Sequence, residues 1–263
     1  MRGGESRGFI NVLTIRQIAL VARHDLVAAQ EFIDVLGLAI AFHDPGIKNL
    51  GLHNTLLPIG TQLLEIVAPI TEDTTAERFL LRRKGAGGYM VITQTDNHPP
   101  RRAHVDDLGI RIVGQFDEHG FTNMQLHPAD TGGSFLEIDQ QAGGEDPMGP
   151  WSPAGKHWQQ AIRTEVVSAI TAAEMQCDEP DKVASRWSEI VQIDRADVEG
   201  VPTIPLDNAA LRFVPITDGR PEGLAGIDLA CADPDTVKAN ATKRKLPVAD
   251  DHVVLVGMRC YLR

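Results

Sequence analysis

The chain has 263 residues, with 25 Lys and Arg against 36 Asp and Glu, for a formal net charge of −11. That length fits one large domain or two smaller ones, and 43% hydrophobic residues supply a core without disulfides. A chain this acidic repels phosphate backbones and anionic headgroups unless its bases cluster. Here Arg82-Arg83-Lys84, Arg101-Arg102 and Lys243-Arg244-Lys245 are short, separate runs, so neither nucleic acid nor a membrane surface is an expected partner. No stretch reaches the roughly 20 apolar residues of a membrane span, and the polar start, Met1 to Gly8, does not read as a secretory signal. Cys177, Cys231 and Cys260 are far apart and form no CxxC. They read as small buried hydrophobes in a reducing compartment, and a cytoplasmic location is expected.

Residues 12–22 predict a β-branched strand, and Arg23-His24-Asp25 opens a helix with Asp25 as its N-cap. Ala29, Phe32, Ile33 and Leu36 recur at helical spacing, and Gly37 stands where a glycine ends a helix. Strands are predicted at 38–42, 48–57 and 61–69. The same order then returns: a strand at 88–95, a short helix from 96 to 108, and strands at 110–116, 120–127 and 133–139. Leu64-Glu65-Ile66 matches Leu136-Glu137-Ile138 at an offset of 72, the same offset that sets Tyr89 against Gln17. Duplication explains both. Residues 142–162, rich in Gly, Pro and Trp, read as a linker.

Beyond the linker a strand is predicted at 164–175, followed by a helix opened by Asp178-Glu179-Pro180 with Val183, Trp187 and Ile190 on one face. A strand at 209–215 closes that unit. A fourth unit has a strand at 226–232, a helix capped by Asp233-Pro234, and terminal strands within 253–262. The prediction is an α+β protein of four βαβββ modules, the fourth abbreviated. They pair into two cup-shaped mixed β-sheets with helices on the outer faces. The N-terminal pair is assigned to 1–141, with modules at about 12–72 and 86–141, and a degenerate C-terminal pair to 163–263.

This order, with the strings Arg16-Gln17-Ile18-Ala19-Leu20-Val21, Val35-Leu36-Gly37-Leu38, Leu64-Glu65-Ile66-Val67 and Leu126-His127-Pro128 running into Gly132-Gly133, resembles the vicinal oxygen chelate superfamily. That superfamily holds glyoxalase I, methylmalonyl-CoA epimerase, extradiol dioxygenases and the fosfomycin and bleomycin resistance proteins. The first two modules look most like glyoxalase-type domains. The resemblance implies metal ligands from the first and last strands of each module, here Gln17 and Tyr89, and Glu65 and Glu137. His127, on the strand before Glu137, is the candidate to replace the missing imidazole as ligand or as acid/base. His53 occupies the comparable region of the first module.

The residues themselves bear on this chemistry. Glu65 alternates with Leu63 and Val67, and Glu137 with Phe135, so each acid shares a strand face with apolar side chains. Two carboxylates converging in one cup repel, and a divalent cation would relieve them. Oxygen ligands favour Mg²⁺, Mn²⁺ or Ca²⁺, although Ni²⁺, Zn²⁺ and Fe²⁺ are not separable from these. Tyr89 is a poor ligand because a phenol titrates near pH 10. No organic cofactor is indicated. His43, His98, His104 and His119 read as surface residues, and Trp158 as a lid or an anchor of the linker. In the second pair Arg212 matches Glu65 and about Thr164 matches Gln17, so no metal quartet survives there.

The resemblance therefore implies a glyoxalase-like lyase or isomerase working on a small carbonyl or hydroxy-carbonyl compound. A divalent metal and proton transfer by Glu65, Glu137 or His127 would carry the reaction, with Tyr89, Gln17, His53 and Trp158 around the substrate. A metal-free protein that binds or sequesters a small molecule, of the bleomycin-resistance type, is the alternative reading. A dioxygenase lacks its imidazoles. Whether the chain is an enzyme stays open at this point, as does the choice between monomer and homodimer.

Overall fold

The computed structural model describes residues 12–263; the polar segment from Met1 to Gly8 lies outside them. The chain runs β1 (Leu13–Val21), α1 (Asp25–Leu36), β2 (Leu52–Ile59), β3 (Gln62–Pro69), α2 (Thr75–Arg83), β4 (Gly87–Thr95), α3 (His98–Asp107), β5 (Ile112–Glu118), β6 (Phe121–Leu126), the single turn α4 (Pro128–Thr131) and β7 (Phe135–Gln141). Then follow β8 (Val167–Cys177), α5 (Pro180–Val191), β9 (Ala196–Val198), β10 (Val201–Pro205), β11 (Ala210–Pro215), β12 (Gly223–Cys231), α6 (Pro234–Lys243), β13 (His252–Leu255) and β14 (Met258–Leu262). No helix of the described residues is long and apolar enough to cross a membrane.

Two curled, seven-stranded mixed sheets result, ordered β2-β3-β1-β4-β7-β6-β5 and β13-β14-β12-β8-β11-β10-β9. In each, the first strands of two modules lie antiparallel at the centre, β1 against β4 and β12 against β8. The last strand of each module flanks its own first strand in parallel, as β3 does β1 and β7 does β4. The paired-module architecture anticipated from the repeats is the one observed.

Local departures have physical causes. The strand expected at 38–42 survives only as a bridge between Phe42 and Leu56. After it, Pro45–Leu50 winds into a 3-10 turn whose Asp44 carboxylate accepts the Gly46 N–H at 2.8 Å. Helix α2 was not anticipated. Its sequence signal is Thr74-x-x-Glu77: the Thr74 hydroxyl accepts the Glu77 N–H, and the Glu77 carboxylate reaches back to the Asp73 N–H. The N-cap of α1 is His24 and not Asp25, whose carboxylate instead takes the Thr55 hydroxyl at 2.8 Å. Gly37 does end α1, with φ 72°. His98, read as a surface residue, is buried in the first turn of α3.

One apolar core runs from Leu13, Ile18 and Leu64 in the first sheet to Ile170, Phe213 and Leu224 in the second. The seam is tight and hydrogen-bonded. Gln62 uses its amide as a surrogate peptide, donating to the Ile170 carbonyl at 2.8 Å and accepting the Ile170 N–H at 2.7 Å. Asp207 and Asn208 accept the Leu13 and Ile15 N–H groups. A second cluster, containing Ala19, Leu56, Leu63, Met90, Ile92, Phe121 and Phe135, lines the concave face of the first sheet.

Candidate functional site

Strand alternation decides what enters that cup. On β1 and β3 the inward side chains include Gln17, Ala19, Leu63 and Glu65; on β7 they include Phe135 and Glu137. Glu65 lies opposite Ala19, and Glu137 opposite Ile92. In the central pair Gln17 faces Ile92 and Ala19 faces Met90. The two-fold relation of the modules therefore makes Met90, not Tyr89, the counterpart of Gln17. The second module is one residue shorter between its first and last strands, 47 positions from Met90 to Glu137 against 48 from Gln17 to Glu65, which a constant offset of 72 does not detect. Tyr89 instead packs between Phe79 and Phe135, with both ring centroids 5.0 Å away.

Both glutamates are held by amide N–H groups. Glu65 accepts from Asn54 Nδ2 at 2.7 Å and Gln17 Nε2 at 2.8 Å. Glu137 accepts from Asn123 Nδ2 at 3.3 Å and Gln125 Nε2 at 3.2 Å. Burial pushes the Glu65 carboxyl up to about 7, against the pull of the Asn54 hydrogen bond and reinforced by the charge of Glu137. Burial also raises Glu137, opposed by the neighbouring Asp139 and by its bonds to Asn123 and Gln125. Asp139, two residues further along β7, is raised well above the carboxylate range by burial and by Glu137, so it is held neutral beside its neighbour.

The far end of the cup is filled by the chain itself. Residues 142–162, expected to be a linker, insert Trp151 and Trp158, each 1% exposed. Their rings sandwich the Arg16 guanidinium at 5.3 and 5.2 Å, while its Nη1 donates to the Thr61 and Pro147 carbonyls at 2.8 Å. Trp151 Nε1 donates to Gln17 Oε1 at 2.9 Å. An indole N–H only donates, so this contact fixes the Gln17 amide with oxygen toward Trp151 and nitrogen toward Glu65. Trp158 is thus part of the packing.

His53 faces away from Glu65: it precedes Asn54 on β2, on the side where Thr55 meets helix α1. His127 caps α4, its Nδ1 accepting the Ala129 N–H at 3.0 Å beside the Arg111–Asp130 ion pair. No hydrogen bond joins it to Glu137 among the described residues. Asn54 and Asn123 were missed in the sequence, although an asparagine inside a strand is disfavoured and is itself a signal. In the second cup, Ala172 and not Thr164 holds the position of Gln17. Arg212 there pairs with Glu174 at 3.2 Å and with Asp228 at 2.5 Å.

The fit of a divalent ion can be tested on these contacts. Gln17 directs N–H at Glu65 and its oxygen at Trp151, Met90 offers a thioether, and amide donors occupy both glutamates. Hard cations want converging oxygens, so this arrangement does not suit one. Among the described residues no group of three or more His, Cys, Asp and Glu side chains is placed to hold a metal.

No family model matches the chain. It is 28% identical over 124 residues to the mitochondrial methylmalonyl-CoA epimerase of Bos taurus, covering 46% of this chain and 70% of that protein. The human enzyme is 24% identical over 136 residues, covering 49% and 75%. Among solved structures, a hypothetical protein from Staphylococcus aureus matches with a TM-score of 0.64 over 96% of this chain and 99% of that one. At 12% identity that likeness is one of fold. The resemblance to the vicinal oxygen chelate superfamily holds in the paired βαβββ sheets and in the similarity to its methylmalonyl-CoA epimerases.

Proposed function

We propose that the N-terminal cup is the site of a proton-transfer isomerase of the epimerase type, acting at the carbon beside a carbonyl or thioester. The observation that carries the reading is the pair Glu65 and Glu137. They occupy equivalent positions on β3 and β7, face one concavity and are each gripped by an Asn and a Gln. Inverting a carbon centre takes a base on one side and an acid on the other. A carboxyl titrating near 7 is divided between both forms at neutral pH, where general acid–base transfer works best. Glu65 removes the α-proton and Glu137, whose carboxyl burial raises, returns one to the opposite face. Tyr89, whose burial keeps its hydroxyl protonated, offers a donor to the developing enolate oxygen. The similarity to methylmalonyl-CoA epimerases supports a 2-substituted acyl thioester as the first substrate to try. Exchange of the α-proton of methylmalonyl-CoA in D₂O, followed by NMR, tests it. Wild type exchanges, and Glu65→Gln and Glu137→Gln each lose on the order of 100-fold or more. Undiminished exchange in both variants removes the proposal.

A further inference from the structure

A second concavity lies on the seam, outside the cup. It has a volume of about 570 Å³ and is bounded by the start of α1, the α2–β4 connection and the β13–β14 hairpin. Its cations are Arg23, Arg83, Lys84 and Arg220, its one carboxylate is Glu31, and its apolar wall includes Val27, Leu246, Val254 and Val256. Four cations thus face one carboxylate on a chain of net charge −11.

Several of these groups lack compensation. Arg83 is only 4% exposed, its Nε has no hydrogen-bond partner, its Nη2 reaches the Leu224 carbonyl at 3.2 Å, and its guanidinium lies 5.8 Å from the centre of the Phe79 ring. Burial, and after it the charge of Arg220, lower the Arg83 pKa to about 10 against the pull of Asp218. Arg23 and Lys84 are exposed and make no ion pair among the described residues. Asp218 neutralises Arg220 from outside the concavity, at 2.8 Å from its Nε. Glu31 is turned to the Val256 N–H at 2.9 Å. Helix α1 begins here with His24, whose side chain caps nothing, and the one acid of its first turn, Asp25, is buried with its carboxylate turned to the Thr55 hydroxyl.

We propose that this seam binds a small phosphate monoester carrying an apolar arm. The dianionic head would sit among Arg23, Lys84, Arg83 and the α1 N-terminus, and the arm along Val254, Val256 and Leu246. Both halves of the chain contribute, so the site needs both and is independent of chemistry at Glu65 and Glu137.

Titration calorimetry of the full chain with hexyl phosphate, inorganic phosphate and hexanol tests it. Saturable one-to-one binding of hexyl phosphate is expected, weakening with salt as a surface charge site must. Inorganic phosphate binds at least tenfold more weakly and hexanol not measurably. The exposed pair Arg23→Glu and Lys84→Glu lowers affinity at least tenfold, and Glu31→Gln raises it. Absence of saturable hexyl phosphate binding overturns the proposal, and so does binding unchanged in the Arg23→Glu, Lys84→Glu protein with its circular dichroism intact.

Discussion

Asn54 and Asn123 are counterparts across the two-fold relation of the first sheet, and each gives its Nδ2 to Oε1 of its own module's glutamate, at 2.7 Å to Glu65 and 3.3 Å to Glu137. Asn54 stands opposite Val67, and Asn123 opposite Asp139, so one module grips a lone acid and the other a pair of adjacent acids. The duplicated frame thus gives two carboxyls the same orientation and different surroundings. Two groups in an acid–base pair need that difference.

The first consequence concerns pH. Glu65 is raised from its ordinary range to about 7, so its neutral form is favoured by folding. Its stabilising contribution is complete below the unfolded glutamate range and fades as pH rises through about 7. Urea denaturation between pH 4 and pH 8 checks the sign: Glu65→Gln flattens this decline. A steeper decline in the variant contradicts it.

Removing the Asn54 amide moves the titration further. The Asn54 hydrogen bond holds the Glu65 carboxyl down, so Asn54→Leu raises its pKa above 7, read by carbon NMR of labelled glutamate. Asn123→Leu leaves Glu65 nearly in place, because it touches the other acid.

The tryptophan filling makes a stability prediction. Trp151→Phe keeps most of the ring volume but leaves Gln17 Oε1 without its donor, at a cost of about 1–3 kcal/mol. Trp158→Ala opens a cavity beside Arg16 and costs about 3–5 kcal/mol. Chemical denaturation measures both; a Trp158→Ala protein as stable as wild type shows that the far end is not packed as described.

Gly88 tests the seam. A methyl group there would sit 2.6 Å from Leu224 Cγ and from the Leu224 carbonyl oxygen, and backbone cannot yield as a flexible side chain does. Gly88→Ala is expected to destabilise by about 1–3 kcal/mol, seen as a lower melting temperature. Gly109→Ala, whose new methyl meets nothing but whose φ is 67°, serves as the comparison for backbone strain alone.

Much of the architecture was readable because the modules repeat. Periodicity located α1 and α5, and the match of Glu65 to Glu137 found both acids of the cup. What escaped was set by contacts distant in sequence. The second module is one residue shorter between its first and last strands, which exchanges Tyr89 for Met90, and that difference shows only once the two strands pair in the folded chain. His53 and His127 were placed near the acids by hairpin proximity. The two-residue pleat turns His53 to the helix side, and Pro128 starts a turn that His127 closes. The role of Trp151 was invisible because glycine and proline on either side read as linker.

That misread segment limits how the molecule can change. The stretch joining the halves also supplies the far wall of the first cup, so connector and interior are the same atoms. An insertion or deletion between 142 and 162, harmless in an ordinary tether, would here withdraw Trp151 from Gln17 and Trp158 from Arg16. The first half is therefore not a portable cassette: cut free before Trp151, it would surrender part of its own inside.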